Sequence, residues 1–78
     1  MRALSELPLG GCGRLAAIDA ACGASQRLMA MGFLPGADIK VVGVAPFGDP
    51  ITVEIRGRRV SLRRADAAAI RVAEAGLA

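Results

Sequence analysis

Cys12 and Cys22 are the residues of this chain best suited to hold a metal ion or to act as nucleophiles, because a thiolate can do both. They form no C-x-x-C pair, and the chain contains no histidine, so a four-ligand zinc site within one chain is not expected. In a reducing cytoplasm, two such cysteines are more typical of half-buried thiols than of a disulfide. Two alternatives stay open: a metal shared between two copies, and a metal-responsive regulatory module in which either cysteine acts with Asp19 or Asp49.

No other pattern in the chain indicates catalysis or cofactor binding. A histidine, a nucleophile–base pair and a phosphate-binding glycine loop are all missing from the sequence. We therefore predict a non-enzymatic protein with no catalytic, cofactor or metal residues. Such a protein must act through its surface.

Arginines are the most prominent polar feature. The net charge is +3, and six of the ten basic residues fall late in the chain: Arg56, Arg58, Arg59, Arg63, Arg64 and Arg71. The plainer interpretation is a solvated sheet face, in which Glu54 lies within reach of Arg59 and Arg63. The same face would suit docking to an acidic surface, with Arg56, Arg58 and Arg64 unpaired and therefore candidates for partner binding.

Nucleic acid is the alternative partner for this arginine cluster. The chain has only two aromatic residues, Phe33 and Phe47, and neither is interleaved with the arginines where it could stack on bases. Nucleic acid is therefore not the expected partner, although a small basic barrel that binds it stays the rival interpretation.

Composition predicts one folded domain over residues 1–78, because 54% of the residues are hydrophobic and 22% are charged. No apolar run approaches the roughly 18 residues that a membrane helix needs. The N-terminus lacks a signal-peptide pattern. We expect a cytoplasmic protein without direct membrane insertion, which could be peripheral to the inner membrane through its partner.

The segment from Arg27 to Ala37 predicts a short helix followed by two stop signals. Ser25 is the expected N-cap of a helix over residues 26–31. Gly32 suits the left-handed position after a helix, with Phe33 packing back on Leu28. Residues 34–37 (Leu-Pro-Gly-Ala) suit a type II turn.

Two apolar side chains are candidates for an exposed partner contact. Leu28 and Met31 explain the core face of the helix, which leaves Met29 on another face. Phe47 lies in a loop over residues 45–50, where an aromatic tip could anchor an interface. Phe47 could equally fold back as a lid on the barrel end.

Alternating residues predict a β-hairpin over residues 51–63. Val53, Ile55, Val60 and Leu62 should share the buried face if Gly57-Arg58 forms a type II′ turn, with Ile55 opposite Val60. Strands are also predicted over residues 13–18, 39–44 and 70–72, and helical turns over residues 4–7 and 64–69. A chain this small must curl such strands around one core. The predicted fold is mostly β with short helices, a small, partly open SH3-like β-barrel.

Five segments match one known pattern in order over nearly the whole chain: Leu4-Ser5-Glu6-Leu7 with Gly10, Gly13-Arg14-Leu15, Arg27 to Gly36, Ala45 to Pro50, and Val60 to Arg64 with Asp66, Ala67 and Ile70. This series resembles the FeoA family, small cytoplasmic components of bacterial ferrous iron uptake. Asp66 stands where the family often has Glu. The resemblance implies an SH3-like fold and a role as accessory to the membrane transporter FeoB, which carries a cytosolic G-protein domain. It implies no catalytic residues and leaves the oligomeric state open.

Overall fold

A computed structural model describes residues 2–19 and 23–74, so Cys22 lies outside the described residues. The elements are, in chain order, β1 (Arg2–Ala3), a 3₁₀ turn (Leu4–Glu6), β2 (Cys12–Ile18), α1 (Ser25–Ala30), β3 (Asp38–Val44), β4 (Ile51–Ile55), β5 (Arg58–Leu62), α2 (Arg64–Ala67) and β6 (Ile70–Glu74). The mostly β composition with short helices agrees with the prediction. Strand β1 is an addition to it, because two residues are too few to show any periodicity.

The strands form one antiparallel sheet in the order β1-β6-β2-β3-β4-β5. The sheet is not closed, so β1 and β5 are its two edges. Register shifts interrupt β2 between Leu15 and Ala17 and β3 between Val41 and Gly43. Such bulges bend a strand and increase its twist, which lets a small sheet wrap around one core.

That core is aliphatic, with Phe33 as its largest buried side chain and no buried polar residue among those described. The other members come from β2 to β6, from both helices and from the turns beside them; the cluster contains Leu4, Leu7, Leu15, Leu28, Ala37, Ile39, Val41, Ile51, Val53, Ile55, Leu62, Ala67, Ile70 and Val72. The core therefore holds the sheet, the helices and the turn after α1 together.

Helix α1 ends in the predicted glycine motif, but it spans Ser25–Ala30 instead of the predicted residues 26–31. Its first carbonyl acceptor is Ala24, which bonds the Leu28 N–H at 2.9 Å, so Ser25 lies inside the helix and is not its N-cap. At the other end Gly32 has a φ of +102°. Its N–H bonds the Met29 carbonyl at 3.0 Å, in the pattern of a Schellman motif.

The turn after α1 is held both by its own hydrogen bond and by β2. The Ala37 N–H donates to the Leu34 carbonyl at 3.0 Å, and Gly36 has a φ of +91°, which confirms the type II turn. Leu15 accepts a 2.8 Å hydrogen bond from the Gly36 N–H and donates one of 2.8 Å to the Ala37 carbonyl. The end of α1 is thereby fixed to the sheet.

The β4–β5 hairpin has the predicted faces, but the predicted register is wrong by two residues. The loop is Arg56-Gly57, with φ values of +51° and +78° as in a type I′ turn. Ile55 consequently lies opposite Arg58, and Val53 lies opposite Val60. A shift of two preserves which side chains face the core. Ile55 is buried, and Val60 packs half-buried against the same core.

Packing and side-chain pairing explain why the observed register is preferred. It places Ile51 opposite Leu62, both buried, and Glu54 directly opposite Arg59 rather than opposite Ser61. Ser61 faces Thr52 instead, and their hydroxyl oxygens are 3.0 Å apart. Opposite charges and paired hydroxyls across strands both stabilise a ladder.

Candidate partner-binding surfaces

The loop between β3 and β4 presents Phe47 to solvent. Two hydrogen bonds close this loop, from the Ala45 N–H to the Pro50 carbonyl at 3.1 Å and from the Gly48 N–H to the Ala45 carbonyl at 2.7 Å. The Phe47 side chain is 98% exposed. The alternative in which Phe47 folds back as a lid on the core is therefore wrong.

Arg64 binds this loop to the start of the chain. Its Nε donates to the Gly48 carbonyl at 2.9 Å and one of its terminal nitrogens, Nη1, donates to the Ser5 carbonyl at 2.8 Å. Its backbone N–H donates to Asp49 Oδ1 at 3.0 Å. Within the described residues the Arg64 guanidinium makes no ion pair, but two backbone carbonyls hold it in place. We call Phe47 and Arg64 the loop surface.

A second set of candidates surrounds the C-terminal end of α1. Met29 is 44% exposed, whereas Leu28 is fully buried and Met31 packs half-buried against the core. Arg58 Nη2 donates to the Met31 carbonyl at 3.1 Å. A cation at this end of a helix satisfies a carbonyl that has no partner within the helix. Arg58 is thus also held by a backbone carbonyl, and it makes no ion pair within residues 2–19 and 23–74.

Arg56 lies beside the same helix end. Its Cδ is 3.4 Å from the position that a Cβ at residue 32 would occupy. We call Met29, Arg56 and Arg58 the helix-end surface. The five predicted partner-binding residues are therefore divided into two sets by the elements that hold them.

Cys12 lies on the outer face of the sheet, where it pairs with Lys40 of β3. It is exposed, so the prediction of a half-buried thiol was wrong for this residue. A shallow groove of about 630 Å³ runs past it, lined by Cys12, Gly13, Asp38, Ile39, Lys40, Glu54, Arg56 and Gly57. Within residues 2–19 and 23–74, no group of three or more Cys, Asp or Glu residues is arranged to hold a metal ion.

None of the helices in the described part of the chain is long and apolar enough to cross a membrane. The longest, α1, has six residues. What the chain presents is a small β domain with exposed apolar and arginine side chains on loops and element ends.

Solved structures define the class of this domain. Over 95% of its length the chain matches 70% of the FeoA protein from Chlorobium tepidum, with a TM-score of 0.86 and 38% identity. It also matches FeoA from Stenotrophomonas maltophilia, described as a procaryotic SH3 domain protein and solved with zinc, with a TM-score of 0.78 and 30% identity over 90% of this chain and 87% of that one. The chain is a small domain with an SH3-like fold, as predicted.

The family follows from the sequence match. The FeoA domain model matches residues 2–74, and the chain belongs to the FeoA family. A curated relative, the Fe(2+) transport protein A/Fe(2+) transporter FeoB fusion protein of Porphyromonas gingivalis, is 41% identical over 69 residues. That match covers 88% of this chain but only 8% of the relative's length.

Proposed function

We propose that this protein is a non-enzymatic, cytoplasmic accessory of bacterial ferrous iron uptake. It binds a FeoB-type transporter and modulates the assembly or the GTPase cycle of that transporter. The observation that carries the proposal is the fusion of a domain 41% identical to this chain with an Fe(2+) transporter FeoB in one polypeptide.

Fusion matters because it holds two domains at a high effective concentration. Domains that associate without a covalent link need a surface with enough affinity to replace it. The loop surface and the helix-end surface supply exposed apolar anchors, Phe47 and Met29, each accompanied by arginine. Aromatic residues, methionine and arginine are all enriched at protein interfaces relative to the rest of the surface.

Electrostatics favours an acidic partner surface. The net charge is +3, and Arg56, Arg59 and Arg63 make no ion pair or side-chain hydrogen bond among the described residues. Complementary charge speeds association and fixes orientation more than it raises affinity. We therefore assign recognition to the arginines and affinity to the apolar anchors.

A pull-down tests the proposal. The tagged protein is incubated with detergent-solubilised membranes that contain FeoB, with and without GTP, and with matched membranes that lack FeoB. We expect FeoB to be retained in an amount that depends on the nucleotide. A double variant, Met29→Asp with Phe47→Asp, serves as the surface control and should retain less. Equal retention by wild type and by an unrelated basic SH3-like domain would refute the proposal, since it would show only charge attraction.

A further inference from the structure

The outer edge of β5 is the longer of the two strand edges of the sheet. Strand β5 has five residues and pairs only with β4, whereas β1 at the other edge has two. An unpaired edge presents a row of backbone N–H and C=O groups that can accept another strand.

The geometry of the hairpin determines which backbone groups of β5 point outwards. In a two-residue hairpin the pair that flanks the loop, here Ile55 and Arg58, exchanges both backbone hydrogen bonds, and the bonding alternates from there. Arg58, Val60 and Leu62 thus bond towards β4. The N–H and C=O groups of Arg59 and Ser61 point away from it, and no backbone hydrogen bond from elsewhere in the described chain reaches them.

A shallow groove accompanies this edge. It has a volume of about 370 Å³ and is lined by Met31, Arg58, Arg59, Val60 and Ser61. Met31 and Val60 are both half-buried against the core, so they give the groove an apolar wall. A strand placed beside β5 could turn alternate side chains into this groove.

The charge around β5 indicates which kind of added strand would bind to its edge. The hairpin loop, β5 and the residue after it carry four exposed arginines, Arg56, Arg58, Arg59 and Arg63, against one nearby acid, Glu54. We propose that the edge of β5 binds an extended acidic segment of a partner protein as an added seventh strand, with Arg59 and Ser61 supplying the backbone hydrogen bonds.

A second copy of this chain is the less suitable occupant. Pairing two β5 edges would bring two sets of these arginines together, and like charges on paired strands destabilise the pair. Charged side chains on an edge strand are a known protection against such self-pairing. The same arginines would favour an acidic strand.

The inference deepens the proposed function by naming how a partner segment would be held, but its test is separate. The peptide experiment below contains no FeoB, and the pull-down contains no peptide. Either can fail alone.

The probe is a blocked, fluorescent octapeptide of alternating glutamate and valine, with an alternating lysine and valine peptide as the charge control. A third peptide has the glutamate sequence but carries N-methyl groups on alternate residues of one edge, which removes backbone donors without changing charge. Binding is followed by fluorescence anisotropy, and hydrogen exchange of the Arg59 and Ser61 amides is followed by NMR. We expect the glutamate peptide to bind and the lysine peptide not to bind. N-methylation of the glutamate peptide should weaken its binding by about tenfold. The bound glutamate peptide should slow hydrogen exchange of the Arg59 and Ser61 amides.

Ser61 offers a matched pair of variants. Ser61→Pro removes an outward N–H, which an edge strand tolerates, whereas Ser61→Ala removes only the hydroxyl that faces Thr52. We expect weaker peptide binding by about tenfold for Ser61→Pro and by less than about twofold for Ser61→Ala. If Ser61→Pro does not fold, the N-methylated peptide still tests the same hydrogen bonds.

Three results would overturn the proposal. The first is no binding of the acidic peptide at millimolar concentration. The second is equal binding of the normal and N-methylated peptides, which would mean attraction by charge alone. The third is protection of the Arg59 and Ser61 amides in a dimer of the free protein, which would make a second copy the occupant.

Discussion

The backbone N–H of Phe33 donates a 3.0 Å hydrogen bond to the carbonyl of Leu28, and both side chains are fully buried. Gly32, the residue before Phe33, makes this possible because its φ is +102°. A left-handed backbone is costly for residues with a Cβ. The end of α1, and with it the helix-end surface, thus depends on one glycine.

Gly32→Ala should lower the free energy of unfolding by about 1–2 kcal/mol, the cost of placing an L side chain in this conformation. Urea unfolding measures it. Gly23→Ala is the control, because Gly23 has open space around it and no positive φ. Equal stability of the two variants would contradict the role assigned to Gly32.

Arg56→Asn should raise the free energy of unfolding by about 0.5–1 kcal/mol, because asparagine adopts positive φ more readily than arginine. The reason is the type I′ turn, in which Arg56 has a φ of +51°. Thermal and urea unfolding provide the measurement. A neutral result would favour the alternative register with Gly57-Arg58 as the loop.

Arg64→Met should lower the free energy of unfolding by about 1 kcal/mol, because it removes hydrogen bonds to the Gly48 and Ser5 carbonyls from an exposed site. Hydrogen exchange should also speed up in the loop over residues 45–50. Arg63→Met is the matched control, since Arg63 is also exposed and has no such bonds among the described residues. If Arg64→Met weakens FeoB retention without any change in stability, Arg64 contacts the partner directly.

Met29→Asp and Phe47→Asp should each leave the fold intact, as exposed changes usually alter stability by within about 0.5 kcal/mol. Each should reduce FeoB-dependent iron uptake, because removing an interface anchor costs about 2 kcal/mol or more, or about 30-fold in affinity. Melting curves and an uptake assay are measured side by side. Leu9→Asp is the control, as Leu9 is 65% exposed but belongs to neither surface.

Two outcomes of that experiment would count against these residues. Normal uptake in both variants would place the contact elsewhere, with the arginines of the hairpin as the next candidates. A collapsed melting curve for Met29→Asp would mean that its buried part matters to the core.

Nucleic acid should bind only weakly and with a strong dependence on salt, because a basic surface attracts any polyanion and Phe47 is the single exposed aromatic side chain in the described residues that could stack on a base. Fluorescence anisotropy with single-stranded and duplex DNA and RNA, at low and physiological salt, measures this. Submicromolar binding at physiological salt that Arg58→Glu abolishes would establish the rival function.

Local sequence signals were sufficient to predict part of this structure. Gly32 and the turn at residues 34–37 specify their conformations through backbone sterics alone, so the end of α1 could be predicted residue by residue. The buried face of the hairpin could be predicted for a related reason, since side chains alternate with a period of two. Met29 could be placed on the outside because Leu28 already accounted for the core face of the same helix.

Other features are compatible with more than one local pattern, and for these the tertiary structure selects one. Two hairpin registers that differ by two residues bury the same side chains, and only cross-strand partners such as Thr52 and Ser61 distinguish them. Arg64 reaches Ser5 across 59 positions of sequence, a contact that no local signal encodes. Whether Phe47 is exposed, and whether the outer edge of β5 is paired, likewise depends on how the other elements of the domain are arranged around them. The alternation of side chains along a strand and the steric preferences of the backbone act within a few residues. Which side chains pair across strands, and which strand edge stays unpaired, depends on the whole sheet.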